Sequence, residues 1–315
     1  MNWLNGFELM CYIIVALLLF DIVHHKDYNS LFVFGAAALV GYFMELAAVA
    51  VTDIYYYNPG FWLNLGTEPG QFPVFGGLMW GGLTVCGIRL AEKLNFGPIL
   101  TALAAGMFIV TMDILLDVVA IRLDGGFWVW VGNPIETQIT QHTFLSVIWV
   151  NFLGYMIETP TVVLLTGIKC RKIAADDFRG QVKGMFLIAL GAIIVTAVGS
   201  LTALGLNALT DDWFACIAFV LLWSFMAVRM LMQMLRIKLR PASMNIQTTV
   251  VSIFWLAMYA YCLAASIYLG LAAELPWFFV MGIVFTGITL YVSVSEQDKW
   301  MNVYAIEKVK ISSIR

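Results

Sequence analysis

The sequence predicts an all-α protein, a polytopic integral membrane helical bundle with about nine transmembrane helices. Of its 315 residues, 62% are hydrophobic and only 12% are charged, whereas a soluble domain carries roughly 25% charged residues. The hydrophobic residues lie in runs of about 20, the length of a helix that crosses a hydrocarbon layer ~30 Å thick. These runs lack the polar–apolar alternation of transmembrane barrel strands. The composition therefore excludes a soluble globular domain.

Each run is expected to form one helix, because a backbone amide in hydrocarbon must find its partner within its own segment. The runs lie at residues 7–24, 31–52, 74–92, 98–121, 143–168, 185–209, 213–235, 247–272 and 276–294. No basic stretch precedes the first run, so we interpret it as a retained span and not as a signal peptide. The third run contains Gly77 and Gly81, a small-xxx-small spacing that favours close helix packing.

The basic residues predict how the bundle is oriented. Lys26, Lys93 and the basic clusters within 169–183, 236–240 and 299–315 all follow odd-numbered runs. Of the 17 basic residues, only Arg122 lies at the opposite ends of the runs. Because basic loops stay in the cytoplasm, we expect the N-terminus outside and the C-terminus in the cytoplasm. This arrangement suits a prokaryotic plasma membrane.

We expect one transmembrane domain over residues 1–315, with two halves that differ in character. The first, 1–168, contains most of the unusual polar residues, and 185–294 is predicted to be an accessory half of four helices. Residues 295–315 are predicted to form a cytoplasmic tail. The sequence does not determine the oligomeric state.

Three carboxyl residues and one amide lie at a similar depth in the first five runs. Glu45 and Asp113 stand about 14 and 15 residues into runs that start on the same side, which is roughly 20 Å at ~1.5 Å per residue. Asp117 follows Asp113 by four residues, so both lie on one helix face. Asn151 enters from the opposite side and completes this polar layer.

The polar layer is a candidate acid–base site. An Asp in the bilayer centre costs about 2.5–3.5 kcal/mol to insert, and no Lys, Arg or His shares this depth in the first five runs. Carboxyl groups that are buried without a cation favour the protonated form, so one carboxyl can donate a proton and another can accept one. The alternative is structural: Asp113 and Asp117 bond to Asn151 only to hold helices together. Glu158, deeper and beside the helix-breaking Pro160, is equally open to both interpretations.

Two loops, 54–73 and 122–142, are rich in aromatic residues. Such rings are typical of the membrane–water interface. Alternatively, the loops fold over the polar layer and enclose a water-poor pocket whose ring faces stabilise a carbocation. On that interpretation the candidate substrate-binding residues are Tyr55, Tyr57, Trp80, Trp128, Trp130 and Tyr155.

Several classes of function are disfavoured. A net charge of −3 gives no basic surface for nucleic acid. The three histidines and five scattered cysteines form no metal-binding motif, and no glycine-rich phosphate loop is present, so neither a metal nor a cofactor is expected. If the protein is an enzyme, the remaining class of reaction is an acid-catalysed one on an apolar substrate. Membrane lipid is expected to surround the protein.

A set of motifs follows in order between residues 35 and 165: Glu45, Tyr55–Tyr57, Pro73, Asp113-Ile-Leu-Leu-Asp117, Gly126-Phe-Trp128-Val-Trp130 and Asn151-Phe-Leu-Gly154-Tyr155. In order and spacing they resemble the carotenoid biosynthesis protein family. These are polytopic membrane hydratases that include bisanhydrobacterioruberin hydratase and gamma-carotene hydratase. The resemblance implies addition of water to the terminal double bond of an isoprenoid or carotenoid.

The resemblance also implies roles for the residues. Asp113 would be the proton donor, and Asp117 would share its proton or activate water, with Glu45 as a second candidate acid. Asn151 would orient water or a carboxyl group. The rings of Tyr57, Trp128 and Trp130 would line the cation pocket.

Three other functions remain open on the sequence. The first is a non-catalytic isoprenoid- or pigment-binding subunit, and the second is a proton-initiated terpene cyclase. The third is a proton- or cation-coupled transporter, although the sequence has no visible inverted repeat of the kind many transporters contain.

Overall fold

The structure is a computed structural model, and it describes residues 2–170, 177–241 and 246–296. In chain order its helices are α1 Trp3–His24, α2 Tyr28–Val51, α3 Val74–Lys93, α4 Pro98–Ala120, α5 Trp149–Cys170, α6 Phe178–Leu209, α7 Trp213–Ile237, α8 Ile246–Tyr268, α9 Leu271–Glu274 and α10 Pro276–Val294. Nine of these helices correspond to the nine predicted runs, and α9 is a single turn. Eight of the nine, all except α5, are long and apolar enough to cross a membrane. The protein is a polytopic membrane helical bundle, as predicted.

Some helix boundaries differ from the predicted ones, and local polar groups explain the differences. The α1 helix begins at Trp3 because the Asn2 side chain accepts a hydrogen bond from the Asn5 amide at 2.8 Å. In the same way the Asp177 side chain caps α6, which begins at Phe178 instead of 185. Residues 143–148 form a short hairpin, so α5 begins at Trp149 instead of 143.

Short strands lie in the connections between helices. They are β1 Tyr55–Tyr57, β2 Asn64–Leu65, β3 Phe72–Pro73, β4 Trp128–Trp130, β5 Thr143–Phe144, β6 Val147–Ile148, β7 Arg240–Pro241 and β8 Ser295–Glu296. The pairs β1–β4, β2–β3, β5–β6 and β7–β8 are all antiparallel. We call the α2–α3 connection (52–73) and the α4–α5 connection (121–148) together the cap. The β1–β4 pair joins its two parts at one end of the bundle.

The predicted tail at 295–315 lies outside the described residues apart from Ser295 and Glu296 of β8. The Lys93 side chain, at the end of α3, donates a hydrogen bond to the Ser293 carbonyl of α10 at 2.5 Å. Since α3 begins at the cap, this contact places β7 and β8 at the end of the bundle opposite to the cap.

Close packing of α2 against α3 depends on glycine. A Cβ on Gly77 would lie 2.5 Å from the Tyr42 ring, and one on Gly81 would lie 2.8 Å from the Phe34 carbonyl oxygen. On α2, a Cβ on Gly41 would lie 2.3 Å from Trp80. These distances are shorter than van der Waals contact, so the two backbones can approach this closely only without side chains.

The two halves of the chain form one bundle. The α4 helix is buried along nearly its whole length, with α3 and α5 beside it. From the accessory half, α6 packs against α2 and α5, and α8 packs against α1 and α4. The second half therefore encloses the polar helices of the first half.

We expect Gly81→Ala to destabilise the protein by about 1–3 kcal/mol, because overpacking forces the backbone or neighbouring side chains to shift. Thermal unfolding of the purified protein in detergent would measure the effect. Gly205→Ala is the matched control, since a Cβ at Gly205 of α6 would have no neighbour within 4 Å. Equal melting temperatures for the two variants would contradict the proposed close contact.

Candidate functional site

A pocket lies beneath the cap, among α2, α3, α4 and α5. The empty space along it amounts to about 670 Å³, including the part that is open to solvent. All ten candidate residues line it: Glu45, Tyr55, Tyr57, Trp80, Asp113, Asp117, Trp128, Trp130, Asn151 and Tyr155. The structure thus brings together residues from four helices and both parts of the cap.

The two aspartates of α4 occupy the centre of the pocket. Asp113 and Asp117 are each 2% exposed, and their spacing of four residues places them one above the other on the helix. The Asn151 side-chain amide donates a hydrogen bond to Asp117 Oδ2 at 2.5 Å. Asp113 faces Tyr155 and Asp117, but its Oδ2 has no hydrogen-bond partner among the described residues. One carboxyl is therefore held in place, while the other has an oxygen available for a ligand.

Glu45 connects α2 to the cap. Its Oε2 accepts hydrogen bonds from the Tyr55 and Tyr57 hydroxyl groups, the second at 2.9 Å. Burial, and then the neighbouring Glu45 carboxylate, raise the pKa of both tyrosines in β1. Both hydroxyl groups consequently stay protonated at neutral pH and can act as donors.

The cap lies over the polar layer, as in the second interpretation of its aromatic residues. The strand register pairs Tyr55 with Trp130 and Tyr57 with Trp128. Because strand side chains alternate, Tyr55 and Tyr57 point into the pocket whereas Tyr56 is 41% exposed. The Trp130 indole N–H is buried without a hydrogen-bond partner among the described residues.

The helices contribute the opposite aromatic wall. The Trp80 ring of α3 stacks on the Tyr155 ring of α5, with centroids 4.8 Å apart and planes inclined by 22°. Tyr155 also faces Asp113. Ring faces and carboxyl groups therefore share one small enclosure.

The pocket also has apolar lining residues that the sequence did not indicate. It is lined by Phe7 of α1, Leu83 of α3, Leu116 of α4 and Met258 of α8. Single apolar residues in apolar helices give no signal of this kind. Only the packing of α1 and α8 beside α3 and α4 places Phe7 and Met258 here.

None of the described residues that line the pocket is Lys, Arg or His. Arg89 of α3 instead forms ion pairs with Asp21 at 2.8 Å and with Asp27 at 3.3 Å. Within the described part of the chain, no group of three or more His, Cys, Asp or Glu side chains is placed to hold a metal ion. The carboxyl groups of the pocket have only neutral hydrogen bonds or one another as partners there.

Glu8, which is not among the predicted site residues, attaches the cap to α1. It is fully buried and accepts hydrogen bonds from the Trp62 amide at 2.7 Å and the Leu63 amide at 3.1 Å. Nearby, the Leu4 amide donates to Asp124 Oδ2 at 2.8 Å. The position of a glutamate near the start of the first apolar run was a signal in the sequence that Glu8 has a role. The sequence could not identify its cap partners, because they are backbone amides of a distant loop.

No protein-family model matches the chain, and no curated protein or solved structure matches it either. Its function therefore has to be inferred from the residues and geometry of the pocket.

We expect Glu8→Ala to loosen the cap, because two cap amides would lose their side-chain acceptor and each unpaired buried group costs about 1–3 kcal/mol. Limited proteolysis of the purified protein would show faster cleavage within residues 54–73. Glu68→Gln is the control, since Glu68 is an exposed residue of the same connection. Unchanged cleavage of the Glu8 variant would show that other contacts hold the cap.

Proposed function

We propose that the protein is a membrane-embedded hydratase that adds water to the terminal C=C bond of a long isoprenoid, such as a carotenoid, by carboxyl acid catalysis. The supporting observation is the Asp113–Asp117 pair, which is buried in an aromatic pocket without a cationic lining residue among those described. The order of the motifs, which resembles the carotenoid biosynthesis protein family, supports the same substrate class. No resident cofactor or metal is required for this reaction.

The lining of the pocket suits a substrate of this kind. Leu83, Leu116 and Met258 offer contacts for a hydrocarbon chain, and the carboxyl groups and Asn151 line the same pocket. In this proposal the chain lies against the apolar residues and its terminal double bond lies beside Asp113.

Asp113 is the best candidate for the proton donor. Its Oδ2 has no hydrogen-bond partner among the residues that the structure describes, whereas both tyrosine hydroxyl groups already donate to Glu45 Oε2. Burial without a cation disfavours the charged form of a carboxyl group. In this proposal the Asp113 proton adds to the less substituted carbon of the terminal C=C bond, and a tertiary carbocation forms on the carbon that bears the two methyl groups. The faces of Tyr57, Trp128 and Trp130 stabilise the cation.

Water then attacks the cation, and the proton that it loses goes to a carboxylate. Asp117 lies one helix turn from Asp113 and is oriented by Asn151, so it can accept this proton and return it to Asp113. The sum of the steps is one water added and no net proton consumed. The free Trp130 N–H supplies a donor for the oxygen of the attacking water or of the alcohol product.

Expression in cells that accumulate an acyclic carotenoid tests this proposal. We expect a product heavier by one water, detected by mass spectrometry of the extract. An isomer of unchanged mass would indicate a cyclase instead, and unchanged substrate that copurifies with the protein would indicate a binding subunit.

We expect Asp113→Asn to lower product formation by about 10²-fold or more, since general acid catalysis contributes 10²–10⁴-fold. Asp53→Asn, at an exposed residue of the cap, should leave product formation unchanged. Both variants should elute as folded protein in size-exclusion chromatography. Normal turnover by the Asp113 variant would overturn its assignment as the acid.

We also propose that the N-terminus lies outside and the C-terminus lies in the cytoplasm of a prokaryotic cell. The distribution of Lys and Arg supports this orientation. We expect a reporter that is active only in the cytoplasm to be active when fused after Arg315. The same reporter inserted into the cap between Gly66 and Gly70 should be inactive. The reverse pattern would contradict the orientation.

A further inference from the structure

Three buried polar atoms at one level of α5 and α6 lie outside the pocket. Glu158 Oε1, Thr159 Oγ1 and Thr196 Oγ1 have no hydrogen-bond partner among the described residues. The three residues are 7%, 0% and 2% exposed, respectively. Buried polar atoms in proteins are nearly always hydrogen-bonded, to protein groups or to internal water.

The packing of α5 against α6 brings these residues to one level. A Cβ on Gly199 would lie 2.9 Å from Ile157, and a Cβ on Gly191 would lie 3.3 Å from Leu165. These contacts set an antiparallel register in which Thr196 lies opposite Pro160. Thr196 is therefore within about one helix turn, ~5.4 Å along the axis, of Glu158.

The hydroxyl groups of other threonines in α5 and α6 are hydrogen-bonded within their own helix. Thr161 and Thr166 of α5 and Thr202 of α6 each donate their hydroxyl to the carbonyl four residues earlier, at 2.7 Å. The hydroxyl groups of Thr159 and Thr196 have no such bond.

Pro160 interrupts the hydrogen bonding of α5 beside Glu158. It has no N–H, so the Met156 carbonyl lacks the helical donor that would normally bind it. The group therefore combines acceptor oxygens with hydroxyl groups that can also donate. Water, which donates and accepts, matches both.

This group is connected to the pocket through Glu45. Glu158 does not line the pocket, but it interacts electrostatically with Glu45 and with Tyr55. Tyr55 in turn donates its hydroxyl to Glu45. Glu158 is therefore electrostatically coupled to Glu45, although it is not itself a lining residue of the pocket.

We propose that Glu158 and Thr196 bind internal water, and that protons pass through this water between the Glu158 carboxyl group and the Glu45 carboxylate. Each transfer moves one proton from Glu158 to Glu45, and Glu158 then takes up a proton that comes from hydronium ion in bulk solvent through the same water. The inference rests on the proposed function only for its use, which is to set the protonation state of the pocket carboxyl groups before the first turnover. The water site itself requires no substrate.

Infrared spectroscopy of the full chain in lipid vesicles tests this inference. On transfer from H₂O to D₂O, the C=O band of a protonated carboxyl group shifts at a rate set by its access to water. We expect Thr196→Val to slow this shift several-fold and Thr196→Ser to restore the wild-type rate. The control is Thr202→Val, whose hydroxyl bonds only within α6 in the structure and whose loss should leave the rate unchanged.

Glu158→Gln gives a second measurement that does not depend on the stability of the threonine variant. We expect one protonated carboxyl band to disappear and the remaining bands to shift several-fold more slowly. Wild-type exchange rates in both Thr196→Val and Glu158→Gln would overturn the proposal. Because no substrate is present, a negative result in the carotenoid assay would contradict the hydratase and leave this result unaffected.

Discussion

Carboxyl groups buried in an apolar bundle need hydrogen-bond donors, and in this protein the described donors are mostly neutral groups from segments distant in sequence. Asn151 holds Asp117, the tyrosines of β1 hold Glu45, and backbone amides of the cap hold Glu8. Each bond satisfies a group that would be costly to leave alone. Each bond also joins two elements that are separate in the chain. The polar layer is therefore part of what determines the tertiary structure.

The cap depends on the same interactions. The Glu45 bonds attach β1 to α2, the strand register attaches β4 to β1, and Glu8 attaches the α2–α3 connection to α1. A cap held in this way places aromatic rings over the carboxyl groups, and the two aspartates are buried. For the proposed reaction such burial matters, because a carbocation needs one positioned water and few others. Binding of an apolar chain would benefit from the same enclosure.

The distribution of cations separates the two ends of the bundle. Arg89 neutralises Asp21 and Asp27 at the end opposite to the cap, where acidic residues have an ordinary structural role. The described residues that line the pocket include no cation, so protons have to balance the charge of its carboxyl groups. Glu158 extends this cation-free region toward α6. Helices of the accessory half thus contribute to the surroundings of the polar layer as well as to packing.

The sequence by itself determined the helices, because the length of an apolar run and the need for internal hydrogen bonding leave one solution in hydrocarbon. It also determined the common depth of Glu45 and Asp113 and the shared face of Asp113 and Asp117, since both follow from helical rise and period. The tertiary structure decided which segments meet. The pairing of Tyr55 with Trp130, the bonds of Glu8 to the cap, and the place of Met258 in the pocket all join residues far apart in sequence. Hydropathy carries no information on the lateral order of helices, because one apolar face is much like another until side chains interlock.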